Sequence, residues 1–213
     1  MRQHIENLIL IGGGGHCKAC IDVIEAENRF EIKGILDVED KIGQQLLGYP
    51  FIGTDQDIKR LVEEGYSFVI TMGQIKTARK RKALYEQLKK LNAKLPIIVS
   101  PAARISKHAV VGDGTVVLHG VHINADATIG ENCILNTNCT IEHDVSVGSH
   151  VHVSTNAVIN GNCLIGDEAF IGSNTVIANN IRVASQVLVG SGSSVIKDIH
   201  EPGTFVGNPV RKI

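Results

Sequence analysis

The sequence predicts an α/β N-terminal domain with a small parallel, Rossmann-like sheet, followed by an all-β parallel β-helix of hexapeptide repeats. Three observations carry this. A strict six-residue period runs from Ile105 to Ser194 without interruption. Ahead of it, short apolar runs alternate with charged, helix-forming stretches. Between the two, composition changes: fifteen of the 21 Lys and Arg residues precede residue 101. The boundary falls at Pro96 to Pro101, giving domains over 1–100 and 101–213.

Fifteen consecutive hexads each open on an aliphatic residue, from Ile105 and Val111 through Ile141 and Val147 to Val183 and Val189. The fifth position is small or β-branched, as at Ala109, Val121, Cys133, Cys139, Ala157 and Cys163. A helix at 3.6 residues per turn would scatter such a pattern, and a lone strand repeats every two residues. A chain that turns a corner every six residues satisfies it. Three hexads then close one triangular coil, and residues 18 apart stack at about the 4.8 Å spacing of neighbouring strands. Fifteen hexads make five coils.

In the first domain, Asn7 to Ile11 reads as a buried strand that runs straight into Gly12-Gly13-Gly14-Gly15-His16. The helix that follows offers Ala19, Ile21, Val23 and Ile24 to a core. Glu31 to Asp37 is a second strand ending in an acid. Thr54 is a good N-cap for a helix over Asp55 to Glu64. Ser67 to Thr71 is a third strand, Ile75 to Leu91 a charged helix, and Pro96 to Val99 a short last strand. Alternating strands and helices imply a parallel, doubly wound sheet.

A net charge of −1 gives no electrostatic case for nucleic acid or an anionic membrane. No run of 18 apolar residues is present, and the glycine-ended N-terminal run lacks a signal-peptide pattern, so a cytoplasmic protein is expected. Five cysteines without paired spacing point to a reducing compartment, and Cys133, Cys139 and Cys163 occupy core positions of hexads. Lys76, Arg79, Lys80, Arg81 and Lys82 wrap around a helix and read as a solvated face.

The glycine run lets a backbone approach phosphate, and the helix start behind it directs N–H groups at an anion. The dinucleotide fingerprint is only half met, because Cys17 stands at the third glycine position, and the run by itself suits a nucleotide site or an ordinary tight βα turn equally. Half a fingerprint suits a mononucleotide, such as that of a nucleotide-sugar. In the solenoid, Glu142-His143-Asp144 falls on one corner, with Asn136 before it and His150 and His152 after it. An imidazole beside a carboxylate is a general base with its orienting partner. Stacking by 18 places His143 against Gly161, whose uncovered amide could hold an oxyanion, the arrangement that acyl transfer requires. Thr155, Ser173 and Ser191 form a second column, at another corner, along which an extended ligand or ordinary turns could lie. His4, His108 and His200 read as surface residues, while His119 and His122 stay unassigned.

Four segments together resemble one family: LILIGGGGHCK at the start, Gly34 to Asp37, Leu135 to Ser154 (LNTNCTIEHDVSVGSHVHVS), and Gly203 to Ile213 (GTFVGNPVRKI). The chain is similar to the sialic acid O-acetyltransferases and UDP-4-amino-sugar N-acetyltransferases of bacterial glycan biosynthesis. That resemblance implies a left-handed β-helix, a homotrimer, and acetyl-CoA held between adjacent solenoids. It implies His143 as general base, Asp144 as its partner in place of the more usual Glu, and the Gly161 amide as oxyanion donor. It further implies Asn136 and His152 beside the sugar, Gly14 and His16 at the diphosphate, Asp37 at the base or ribose, and Ser173 and Ser191 along pantetheine. The four-glycine run departs from the commoner G-A-S-G-H form and loses a serine contact.

The expected activity is therefore acetyl transfer from acetyl-CoA to the amino group of a nucleotide-linked 4-amino-4,6-dideoxy sugar, with no metal. O-acetylation of a sialic acid is the nearest alternative, and a non-catalytic nucleotide-sugar binding protein a further one. A metal-dependent hydratase on the same solenoid would need three converging histidines. An NAD-dependent enzyme is disfavoured by Cys17 and by a first domain of only about 100 residues.

Overall fold

The computed structural model describes residues 5–213, so the expectation for His4 lies outside the described residues. Five strands form the first sheet in the order β3-β4-β2-β1-β5: β1 (Glu6–Ile11), β2 (Phe30–Leu36), β3 (Gln45–Leu46), β4 (Tyr49–Gly53) and β5 (Ser67–Ile70). β1 pairs in parallel with both β2 and β5, and its residues Leu8 to Ile11 are all buried. A central parallel strand is covered on both faces, which is why this stretch is uniformly apolar rather than alternating. The helix α1 (Gly15–Glu27) lies on one side, and α2 (Ile58–Glu63) and α3 (Arg79–Lys90) on the other.

Several details depart from the sequence reading. Cys17 and Cys20 join Ile21, Val23 and Ile24 on the buried stripe of α1, whereas Ala19 is exposed. Thr54 caps a 3-10 turn, Asp55–Asp57, in a reciprocal capping box with Asp57, and α2 begins only at Ile58. The β3–β4 hairpin was not legible, because Pro50 and three glycines between 43 and 53 read as loop. It turns at Leu47 and Gly48, both at positive φ. α3 starts at Arg79 rather than Ile75, with the Thr77 hydroxyl accepting the Arg79 N–H at 3.2 Å. Arg81 is not part of a solvated face: it is 1% exposed. Ile98–Val99 does not close the first sheet but pairs with Val116–Val117 and so begins the solenoid.

The solenoid has three parallel faces. Face one stacks Ile98–Val99, Val116–Val117, Ile134–Leu135, His152–Val153, Phe170–Ile171 and Val187–Val189, and then Gly203–Val206. Face two runs from Arg104–Ile105 through Thr140–Ile141 to Ser194–Val195, and face three from Val110–Val111 through Ser146–Val147 to Arg182–Val183. From the first coil to Val195 the pairings join residues 18 apart, as His122 to Thr140 and Ile134 to His152, and the closing strand Gly203–Val206 pairs with Val187–Val189 at a separation of 16. First and fifth hexad positions fill one continuous core, with Cys133, Cys139 and Cys163 fully buried and unpaired. The fourth position takes positive φ at corner after corner, from Asp126 and Asn132 through Asp144 to Gln186. That explains the Asn, Asp and Gly there, the residues that tolerate a left-handed backbone.

The first domain docks on face one, where α1 packs on Ile98, Val116 and Leu118. Charged ties flank this contact: Lys82 to Glu168 at 2.8 Å and Lys89 to Glu131 at 3.3 Å. His119 belongs to the same seam. Its ring bridges Ser100 Oγ (2.6 Å) and Asp22 Oδ2 of α1 (2.9 Å). His122 lies exposed on face two, and His108 and His200 are exposed as expected.

Candidate functional site

Two groups of polar residues stand on opposite sides of the solenoid. The first sits at the corner joining faces two and three. His143 Nδ1 lies 2.7 Å from Asp144 Oδ2, and both side chains are open to solvent, at 62% and 56% exposure. A carboxylate only accepts, so the neutral ring carries its proton on Nδ1 and leaves the Nε2 lone pair free. Asp144 raises the imidazole pKa above its ordinary value, first through this hydrogen bond and then through its charge, with Glu142 adding to it. Glu142 itself is turned aside, accepting from Asn124 Nδ2 at 2.9 Å.

The neighbour one coil on is Gly161. A Cβ placed there would lie 2.7 Å from His143 Cε1 and 2.9 Å from Nε2. Only a glycine leaves the imidazole its position. The Gly161 N–H donates to no protein acceptor among the described residues. A base and a free amide thus share one corner, with Asn179 completing the stack.

The second group lies where the first domain meets face one. Gly12 has φ +99, and a Cβ on Gly13 would strike the Phe51 ring at 2.3 Å. Gly14 and Gly15 face open space, and the amides of Gly14, Gly15 and His16 have no protein acceptor among the described residues. These donors open the 13-residue α1, where the helix dipole favours an anion. Asp37 accepts from the Gly13 amide (2.6 Å), the Val38 amide (2.7 Å) and Lys41 (2.8 Å). Burial alone would push its pKa up, but these donors outweigh that and hold it below the ordinary carboxylate value. The loop borders a cavity of about 460 Å³, which adjoins one of about 710 Å³ between Leu36, Thr54, Asp55, Met72, Lys80 and Gln87.

His16 and His152 face each other across this seam with ring centroids 6.5 Å apart. Burial, joined by the Arg81 charge, pulls their pKa values down to about 3 and about 4. His152 Nδ1 donates to the Gln74 carbonyl at 2.5 Å, and its Nε2 meets the Asn136 side-chain amide at 3.2 Å. Ser173 and Ser191 stack at the corner between faces one and two, where Ser154 and Ser173 hydroxyls are 2.9 Å apart.

The structure therefore joins His143, Asp144 and Gly161, and separately joins Gly14, His16, Asp37, Asn136 and His152. It does not bring the two groups together within one chain. The corner between faces two and three is opposite face one, so the body of the solenoid stands between them. Arg81 and Gln74 escaped sequence reasoning, because a buried arginine inside a basic run carries no pattern of its own. Among the described residues, no group of three or more His, Cys, Asp or Glu side chains could hold a metal ion.

Comparison with known proteins divides the chain in the same way. Residues 7–88 match the PglD N-terminal domain, and residues 102–143 and 126–161 match the bacterial transferase hexapeptide (six repeats). The acetyltransferase domain of PglB from Neisseria gonorrhoeae superposes with a TM-score of 0.92 at 30% identity, covering 98% of this chain and 100% of that one. PerB from Caulobacter crescentus, solved with CoA and GDP-perosamine, superposes with a TM-score of 0.91 at 28% identity, covering 98% of each chain. The UDP-N-acetylbacillosamine N-acetyltransferase of Bacillus subtilis (strain 168) is 32% identical over 118 residues, 54% of this chain and 52% of that protein. Alignments with curated relatives span 52% of their lengths or less.

Proposed function

We propose a function from one premise: the chain belongs to the sialic acid O-acetyltransferase and nucleotide-amino-sugar N-acetyltransferase family, whose solenoid is a left-handed parallel β-helix of hexapeptide repeats. Its reaction is acetyl transfer from acetyl-CoA to the amino group of a nucleotide-linked 4-amino-4,6-dideoxy sugar. The observation that carries this reading is the His143–Asp144 pair stacked against Gly161. His143 Nε2 takes a proton from the sugar amine as nitrogen attacks the thioester carbon. The C–N bond forms, the Gly161 amide stabilises the oxyanion, and collapse breaks the C–S bond. The proton held by His143 passes to the departing thiolate. No covalent enzyme intermediate is needed.

The nucleotide-sugar lies at the glycine loop, its diphosphate on the amides of Gly14 and His16 and its nucleoside in the adjoining cavity beside Asp37. Asn136 and His152 line the sugar, and Ser173 and Ser191 the pantetheine. Because His143 stands on the far side of its own solenoid, a second copy must supply it to this pocket. A homotrimer does so, with His143 of one copy entering the groove of the next. Val110 (60% exposed), Leu164 (42%) and Val176 (44%) on faces two and three support such a contact. CoA and GDP-perosamine in PerB, and acetyl coenzyme A in the PglB domain, support the choice of substrates. The described residues include no helix long and apolar enough to cross a membrane, and we place the reaction in the cytoplasm, where acetyl-CoA is made.

The test is CoA release from acetyl-CoA across a panel of UDP-, dTDP-, GDP- and CMP-linked amino sugars. Release with at least one amine is expected. Release only with hydroxyl acceptors such as sialic acids would replace N- by O-acetylation, and release with none would leave only a binding protein.

A further inference from the structure

Arg81 is a buried cation that the reaction above does not use. At 1% exposure its guanidinium meets only backbone carbonyls: Ile70 O, Met72 O at 3.0 Å and Asn132 O at 3.4 Å. Its Nη2 has no partner among the described residues. A desolvated charge without a counter-charge is costly, so the contacts it makes must be what keeps it there.

Those contacts lead to two neighbouring histidines, His150 and His152. Ile70 ends β5, and Met72 lies in the segment leading to Gln74. The Gln74 carbonyl accepts from His152 Nδ1 at 2.5 Å, and its side chain donates to the His150 carbonyl at 2.8 Å. Asn132, the third carbonyl held by Arg81, meets His150 Nδ1 through Nδ2 at 2.9 Å. A carbonyl cannot donate, so His152 carries its proton on Nδ1. Asn136 is oriented too, because its Oδ1 accepts the Thr137 amide at 2.8 Å, which turns Nδ2 toward His152 Nε2. Nε2 is therefore an acceptor.

We propose that Arg81 is a positioning residue for acetyl transfer: by clamping the segment from Ile70 to Gln74 against the solenoid, it fixes His152 as the Nδ1–H tautomer, with Nε2 presented toward Asn136 and the substrate groove. The inference rests on the reading of His152 as a substrate-lining residue. The groups facing His152 are His16 from α1, Arg81 from α3, Gln74 from the loop, and Asn136 and Phe170 from the solenoid, and none is negative. A protonated His152 would set a second N–H against the Asn136 amide, and the Arg81 charge opposes that state.

The experiment is site-resolved ¹⁵N NMR of histidine-labelled, ligand-free protein, with His152 assigned from the H152Q spectrum. A pyrrole-type Nδ1 and a pyridine-type Nε2, unchanged from about pH 8 to pH 5, are expected, since an ordinary histidine would titrate near 6.5. An Nε2–H tautomer, or protonation near the ordinary value, overturns the proposal in the wild-type protein alone. R81K keeps the charge and loses the fork, so kcat/KM should fall roughly 10²-fold, as a misplaced positioning group does, with His152 still neutral at pH 5. R81M should show the same loss with protonation of His152 moved up in pH. Both variants retaining wild-type kcat/KM and tautomer would also overturn it, and if either fails to fold the wild-type titration decides. The spectra need no substrate. A barren acceptor panel would thus remove the reaction, whereas a wrong tautomer would remove only the role of Arg81.

Discussion

Two histidine environments in this protein differ in every respect that sets a proton affinity. At the corner of faces two and three, His143 is open to water and bonded to a carboxylate, which raises its pKa. Where α1 meets face one, His152 is buried and His16 half-buried beside a guanidinium, with no carboxylate among the groups that shift them, and their pKa values fall to about 3 and about 4. One ring is set to take up a proton and the other two to refuse it. In the proposed reaction this becomes a division of labour: the exposed ring is the one suited to acid–base work, and the other two to holding hydrogen-bond polarity constant across working pH.

Breaking that division at its strongest point should give the largest effect. H143A should lower kcat by about 10²–10⁴-fold, the usual contribution of a general base, while nucleotide-sugar binding measured by calorimetry persists. Unchanged turnover would reject the assignment. D144N leaves the imidazole but removes its carboxylate, so kcat should fall by roughly 10–10²-fold, as loss of an orienting partner does. Because Asp144 raises the pKa of His143, the acid limb of the pH–rate profile should also move to lower pH in D144N. A limb that moves up would contradict the direction.

A subtler variant sharpens the comparison at the corner. In G161A the new Cβ would fall within 2.9 Å of the imidazole, yet the obstructed atoms end an exposed side chain that can swing away. Turnover should drop while stability shifts by less than about 0.5 kcal/mol, as for most surface changes. Denaturant unfolding beside kinetics separates the two. The last effect, on stability rather than turnover, concerns the His16–His152 pair. Both pKa values are depressed in the folded state, so between pH 6.5 and about 4 only the unfolded chain takes up these protons. Stability should therefore decline as pH falls through that window, by roughly 1 kcal/mol per pH unit for each histidine. H152Q should flatten the slope of unfolding free energy against pH, and an unchanged slope would show that His152 does not contribute.

Much of the architecture was open to reading because the solenoid repeats. The same aliphatic and small residues recur every six positions, and each occurrence checks the last. Stacking by 18 follows from that period alone, which is why the contact between His143 and Gly161 could be foreseen. The first domain offers single occurrences, and there the pattern misleads: Pro50 disguises the β3–β4 hairpin, and Ile98–Val99 reads as a strand of the first sheet although it pairs with Val116–Val117 and opens the solenoid. The fourth-position Asn and Asp residues carried a further signal, the left-handed corner, which becomes obvious only once φ is known.

The sequence by itself determined the period, hence the solenoid, its core and the neighbours along each corner, because those depend on local register. Only the tertiary structure decided which face the first domain covers, that Arg81 turns inward to hold the loop beneath His152, and that His143 lies across the solenoid from the glycine loop. Those outcomes depend on how distant segments meet, and a pattern of spacings within one segment carries no information about the surface it will bury against.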